Sequence, residues 1–259
     1  MWNEFVSGKQ TYDQLSEIFG VSQRTIQRYI ESISVTIPSK IPRAVVVLMD
    51  TTYFGKAFGV MLFKDAYSGE DLLKYYVKNE TNSKYKEGIE ELIKKGFDVV
   101  GIVCDGRKGL LNLFPLIPTQ MCQFHQAAII RRYITKQPKT QAAIELKKHV
   151  KILCRTDKES FEGGLKDWHN KWENFLKERS KNPRTGKTQY VHRKLRSAYN
   201  SLKNNFPWLF IWYDNMKLKI PNTTNAIDGH FADLKNKLRN HNGLSEANKK
   251  KFIDEFFKA

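Results

Sequence analysis

The chain has 259 residues, 41% of them hydrophobic, which is enough for a folded core in one large domain or two small ones. Lysine and arginine outnumber aspartate and glutamate by 44 to 27, a formal charge of +17 spread along the chain, and such a field points to an extended polyanion as partner. The three cysteines, Cys104, Cys122 and Cys154, have no disulfide-framework spacing, the N-terminus shows no basic-then-apolar leader, and no apolar run reaches the roughly 18 residues of a membrane span; a cytoplasmic protein without membrane contact is expected.

Residues 11 to 33 carry helical apolar spacing on both sides of a glycine, with Leu15, Ile18 and Phe19 before Gly20 and Ile26, Tyr29 and Ile30 after Val21. Gly20 suits the tight turn and Ser22 suits the N-cap of the second helix, a helix-turn-helix pattern. Gln23, Arg24, Gln27 and Arg28 fall away from the apolar stripe and are of the types that reach phosphates and base edges, so they are candidate DNA contacts. A small helical pair with a solvated polar face is the other reading. Pro38 and Pro42 then favour extended geometry, which places a boundary after a region 1–36.

Strands are expected at Ala44–Met49, Ala57–Phe63 and Leu72–Val77, an amphipathic helix at Lys84–Lys95, and a strand at Val99–Cys104. A short helix start at Leu110–Phe114, a short strand at Thr119–Gln123 and a helix from Gln126 to Thr135 follow. Three consecutive strands, a helix and a further strand give the order of a ribonuclease-H-like α/β core, whose first part spans 43–138. Segment 139–220 reads as an all-helical insertion with a polar loop at Lys181–Lys187, and Trp168, Trp172, Trp208 and Trp212 read as helix core, as do Cys104 and Cys154. The final segment, 221–259, carries Ile227, Phe231, Leu234 and Leu238 on one face of a helix over Asn225–Arg239.

Asp50 and Asp105 end two apolar strands, on the rim where open α/β sheets place their sites, and paired carboxylates there suit Mg²⁺. Metal-assisted chemistry at a phosphodiester asks for about three carboxylates around two cations roughly 3.5–4 Å apart. Asp228, beside Ile227 at the edge of a buried stripe, is the third candidate and Asp233 its rival; Lys235 and Arg239 follow on roughly the same side of the helix and suit DNA phosphates. Cys122 and His125 supply only two of four zinc ligands, so packing or a DNA-end contact fits them better than a structural metal, with Arg131 and Arg132 about two turns further on.

The segments Leu48-Met49-Asp50-Thr51-Thr52-Tyr53-Phe54-Gly55, Val103-Cys104-Asp105-Gly106-Arg107-Lys108-Gly109, Gln120-Met121-Cys122-Gln123-Phe124-His125-Gln126 and Thr223-Thr224-Asn225-Ala226-Ile227-Asp228-Gly229-His230, in that order, resemble mutator-type transposases of bacterial insertion sequences, in the DDE superfamily. The resemblance implies a ribonuclease-H-like catalytic core after a helix-turn-helix, and Mg²⁺ or Mn²⁺ held by Asp50, Asp105 and Asp228 as catalytic acids. It also implies double-stranded DNA, both terminal inverted repeats and target, as substrate, with a homodimer or larger assembly in the nucleoid-associated cytoplasm. Two departures stand out: the third acid is Asp228 where the family usually has glutamate, and no cysteine-rich zinc ribbon stands ahead of the helix-turn-helix. A catalytically impaired or repurposed transposase acting as a DNA-binding protein, and a ribonuclease-H-like nuclease, stay open beside the transposase reading.

Overall fold

Val45–Met49 is an unbroken apolar run, rich in β-branched residues, and every one of its side chains is fully buried, the pattern of a strand covered on both faces. In the computed structural model, which describes residues 1–241 and 243–258, this run lies in β1 (Ala44–Phe54). Ahead of it come α1 (Trp2–Val6), α2 (Tyr12–Phe19) and α3 (Gln23–Ser32). After it come β2 (Phe58–Asp65), β3 (Asp71–Val77), α4 (Asn82–Lys94), β4 (Asp98–Cys104), β5 (Thr119–Met121) and α5 (Gln123–Ile134). Then follow α6 (Gln141–Lys151), α7 (Lys158–Lys177), β6 (Arg179–Lys181), β7 (Thr188–Tyr190), α8 (Arg193–Leu209), α9 (Ile211–Asp214), α10 (Asn225–Leu238) and α11 (Glu246–Phe256).

The protein is thus α/β, with a mixed five-stranded sheet in the order β3-β2-β1-β4-β5. β2 and β3 are antiparallel, with Val60 opposite Tyr76 and a bulge between Phe63 and Lys64, whereas β4 and β5 are parallel, with Cys104 opposite Met121. Two compact units divide the chain, and their boundary falls inside β1. No helix among the described residues is long and apolar enough to cross a membrane.

The first unit holds Met1–Ala44, Asp50–Asp98 and the chain from Asn225 onward. Thr11 caps α2 through a reciprocal box with Gln14, Gly20 ends that helix in the left-handed region at φ 63°, and the Ser22 hydroxyl accepts the Thr25 amide to open α3. The apolar faces of these three helices share a single core with β2, α10 and α11: Phe5, Leu15, Ile26 and Ile30 lie in one cluster with Phe58, Leu62, Phe231 and Phe252. Gly88 sits where α4 meets the sheet, and a Cβ there would stand 2.1 Å from the Phe63 ring, so only glycine allows that approach.

The second unit holds Val45–Met49 and Val99–Thr224. Three buried glutamines tie β5 and α5 to the later helices. Gln120 and Gln123 both donate to the Leu209 carbonyl, at 2.9 and 2.7 Å, while Gln120 also accepts the Trp212 amide at 3.0 Å. Gln126 donates to Ser201 and accepts from Asn205. Gln120 and Gln126 are paired at both ends of their amides, whereas Gln123 Oε1 is buried without a hydrogen-bond partner among the described residues; the paired groups favour this docking geometry, because another would leave them unpaired at a cost of about 1–3 kcal/mol each.

Several expectations from sequence change. Leu110–Phe114 forms turns rather than a helix. The expected all-helical stretch contains a two-stranded hairpin, β6 paired with β7, whose strands are too short and too polar to show a period. Trp168 is buried and donates to the Ala142 carbonyl, but Trp172, Trp208 and Trp212 are half-buried, as is Cys154. A last helix, α11, follows α10; the run Lys249-Lys250-Lys251 masks its apolar face of Phe252, Ile253 and Phe256.

Candidate functional site

In the first unit, β1 emerges from its buried run at Asp50, which is half-buried and accepts the Thr51 amide at 2.8 Å. The wall behind it is a hydrogen-bonded chain. The Tyr85 hydroxyl donates to Glu80 at 2.8 Å and lies 2.9 Å from the Thr51 hydroxyl, while the Glu80 amide donates to the Tyr53 hydroxyl at 2.7 Å. Burial, then the charge of Glu80, pushes the Tyr85 hydroxyl far above its ordinary range, so it stays protonated and acts as a fixed donor.

Asp228 reaches the same place from α10. Ile227, Phe231, Leu234 and Leu238 hold that helix in the core, and Asp228 follows Ile227 in the first turn, half-buried at the edge of the stripe. One carboxylate oxygen of Asp228 lies within 4.8 Å of one from Asp50. Two anions at that separation repel, and a divalent cation between them reverses the sign of the interaction. Asp233, the rival on the same helix, is exposed and pairs with Lys237 at 3.3 Å.

In the second unit, Asp105 is half-buried just past β4 and accepts the Arg107 amide at 3.0 Å, which turns the chain away from the strand. Cys122 is fully buried at the N-terminus of α5, and its sulfur accepts from both the amide and the hydroxyl of Thr224. Burial acts to raise the Cys122 thiol, yet the hydrogen bonds from His125 and Thr224 outweigh it and leave the thiol below its ordinary value. His125 Nδ1 lies 3.5 Å from the Thr224 hydroxyl. Thr224 enters the sequence reading only as part of the Thr223-Thr224-Asn225-Ala226 motif, with no role assigned to its side chain.

Of the candidate DNA contacts on α3, Arg24 and Arg28 are exposed, Gln23 donates to Asp13 and Gln27 to Glu31. Arg131 is exposed over the Phe124 ring at 5.7 Å, and Arg132 is exposed beside it. Lys235 stands 6.0 Å from the Phe54 ring, and Arg239 is exposed just past the end of α10.

The fold that these elements define is an α/β architecture around a mixed sheet. No family model matches the chain. No curated protein matches it. Among solved structures it is similar to a chain of the cryoEM structure of the simian T-cell lymphotropic virus intasome in complex with PP2A regulatory subunit B56 gamma, at 12% identity over 78% of this chain and 68% of that one, with a TM-score of 0.25. A likeness at that score assigns neither fold nor function.

Proposed function

We propose that the protein is a transposase of the mutator type that binds the ends of an insertion sequence and carries out metal-dependent DNA cleavage and strand transfer. The observation that carries this reading is the approach of Asp50 and Asp228, far apart in sequence, to within 4.8 Å. The strand order β3-β2-β1-β4-β5, antiparallel on one side and parallel on the other, supports a ribonuclease-H-like core, and the capped α2–turn–α3 unit supports a helix-turn-helix reader. The +17 charge supports DNA as substrate, in the nucleoid.

The donor set fits the implied cation. Carboxylate oxygens suit Mg²⁺ and Mn²⁺, and Asp50 and Asp228, both in the first unit, present two of them within 4.8 Å of each other. In this reading Asp50 and Asp228 would hold the cation. When bound, the metal supplies charge neutralisation at phosphorus and an activated oxygen nucleophile. The protein's own residues do the rest: the Thr51–Tyr85–Glu80 chain holds the wall behind Asp50, the α10 core holds Asp228, and Lys235 and Arg239 hold phosphates. Two element ends must be brought together, so the working form is a homodimer or larger on DNA.

The test uses Asp50→Ala and Asp228→Ala with a duplex carrying the terminal repeats, in Mg²⁺ and in Mn²⁺. Each variant loses cleavage while duplex affinity stays near that of the parent, because carboxylates without their cation repel phosphate. Cleavage that survives in either variant refutes the assignment.

A further inference from the structure

We infer that the β6–β7 hairpin, with the first turn of α8, is a duplex-DNA contact that seats in the major groove. The choice of partner rests on the DNA-acting reading above; the surface itself rests on charge and geometry within the second unit. Between Lys177 and Arg196 the chain carries eight basic side chains and one acidic one, a formal +7 out of the whole chain's +17. That lone acid, Glu178, is engaged by His192 Nε2 at 2.9 Å.

This charge is held on a shaped element. The Tyr190 ring lies under two guanidinium groups, Arg179 at 4.5 Å and Arg196 at 3.7 Å, and Arg196 also donates to the Leu176 carbonyl at the end of α7. His192 stacks on Phe175 at 3.6 Å, which anchors the base of the hairpin between α7 and α8. The tip is equally determined: Asn182 Oδ1 accepts the amides of Arg184 and Thr185, and Gly186 takes φ 64° to close the loop. Lys181, Arg184, Lys187, Arg193 and Lys194 are all exposed, so the anchoring uses one set of cations and leaves another facing solvent.

Shape and composition select the partner. The loop residues Asn182-Pro183-Arg184-Thr185-Gly186-Lys187 include no aliphatic or aromatic side chain beyond proline, so the tip has nothing to bury in a bilayer. Two strands about 5 Å apart form a ribbon that fits a major groove about 12 Å wide, with cations on both sides reaching opposing phosphates. Arg184 leads at the tip, where a planar fork reaches phosphate or guanine edges.

The test measures binding of a fluorescently labelled mixed-sequence duplex by the full chain across a salt series. Lys181→Ala/Arg184→Ala/Lys187→Ala keeps the turn-forming Asn182 and Gly186; its affinity falls roughly 10-fold or more at physiological salt, and the slope of log affinity on log salt becomes shallower by about 2–3. A control that removes the same charge from α4, Lys84→Ala/Lys86→Ala/Lys94→Ala, changes affinity by less than about 2-fold. The single reversal Arg184→Glu weakens binding in the same direction without touching the base. Unchanged affinity and slope in the hairpin variants, or an equal loss in the α4 control, overturn the inference. Cleavage by Asp50→Ala tests the catalytic reading separately: the hairpin result stands if that reading falls, and falls without harming it.

Discussion

Thr224 donates to the Cys122 sulfur twice, from its amide and from its hydroxyl, each at 3.3 Å, which ties the residue before α10 to the residue before α5. Both groups are fully buried, so the hydroxyl has no water to turn to. Thr224→Val keeps the volume and removes the hydroxyl donor. It is expected to cost about 1 kcal/mol in urea unfolding, and an unchanged midpoint would show that the sulfur contact contributes nothing.

Asp71 sits at the centre of a buried charge group, 2.9 Å from Lys64 Nζ and 2.7 Å from His230 Nε2, with Lys64 also donating to the Gly69 carbonyl. Asp71→Ala leaves the Lys64 ammonium buried without its counter-charge. A loss of about 3–5 kcal/mol is expected, and the double variant Lys64→Met/Asp71→Leu recovers most of it, as measured by denaturant unfolding. Additive losses in the double variant would contradict this.

Stability falls in mild acid. Burial holds His241 and His149 below their ordinary value near 6.5, against the opposing effect of the carbonyls of Phe5 and Phe161, to which their Nε2–H groups donate. Below about pH 6.5 the unfolded chain therefore takes up protons that the folded chain refuses, so unfolding free energy drops as pH falls, and these groups contribute no slope above about pH 7.5. Urea midpoints across this range check the sign, and His241→Gln should flatten part of the acid slope.

In the transposase reading, Asp228 is expected to serve as the third acid in its native aspartate form. Asp228 already places an oxygen within 4.8 Å of Asp50, and an added methylene moves it by about an ångström, a displacement that costs on the order of 100-fold in rate. Asp228→Glu should lower metal-dependent cleavage accordingly at unchanged duplex affinity. A gain of cleavage would mark the native residue as an impairment and favour the DNA-binding reading.

What sequence could show follows from how local each signal is. The apolar runs of β1 and β4 carry their own period, Gly20 and Ser22 sit at positions that demand a left-handed turn and a cap, and the α10 stripe is complete within one helix. The β6–β7 hairpin has three-residue strands and reads only as a polar gap, and α11 is hidden by its lysines. Nothing in a linear pattern relates Gln120 to Leu209 or Thr224 to Cys122, since those pairings exist only once the chain has closed. The site divides in the same way: Asp50 and Asp228 are each visible as a carboxylate beside an apolar element, while the distance between them belongs to the packing of α10.

Phe5, Leu15, Ile26 and Ile30 are made well before their core partners Phe231, Phe252 and Ile253. Until those residues clear the ribosome, the three helices have only one another and β2 to cover their apolar faces, so a nascent chain is a client for holdase chaperones and a stalled one is a target for proteases. Closure of this core thereby waits on synthesis of α10 and α11.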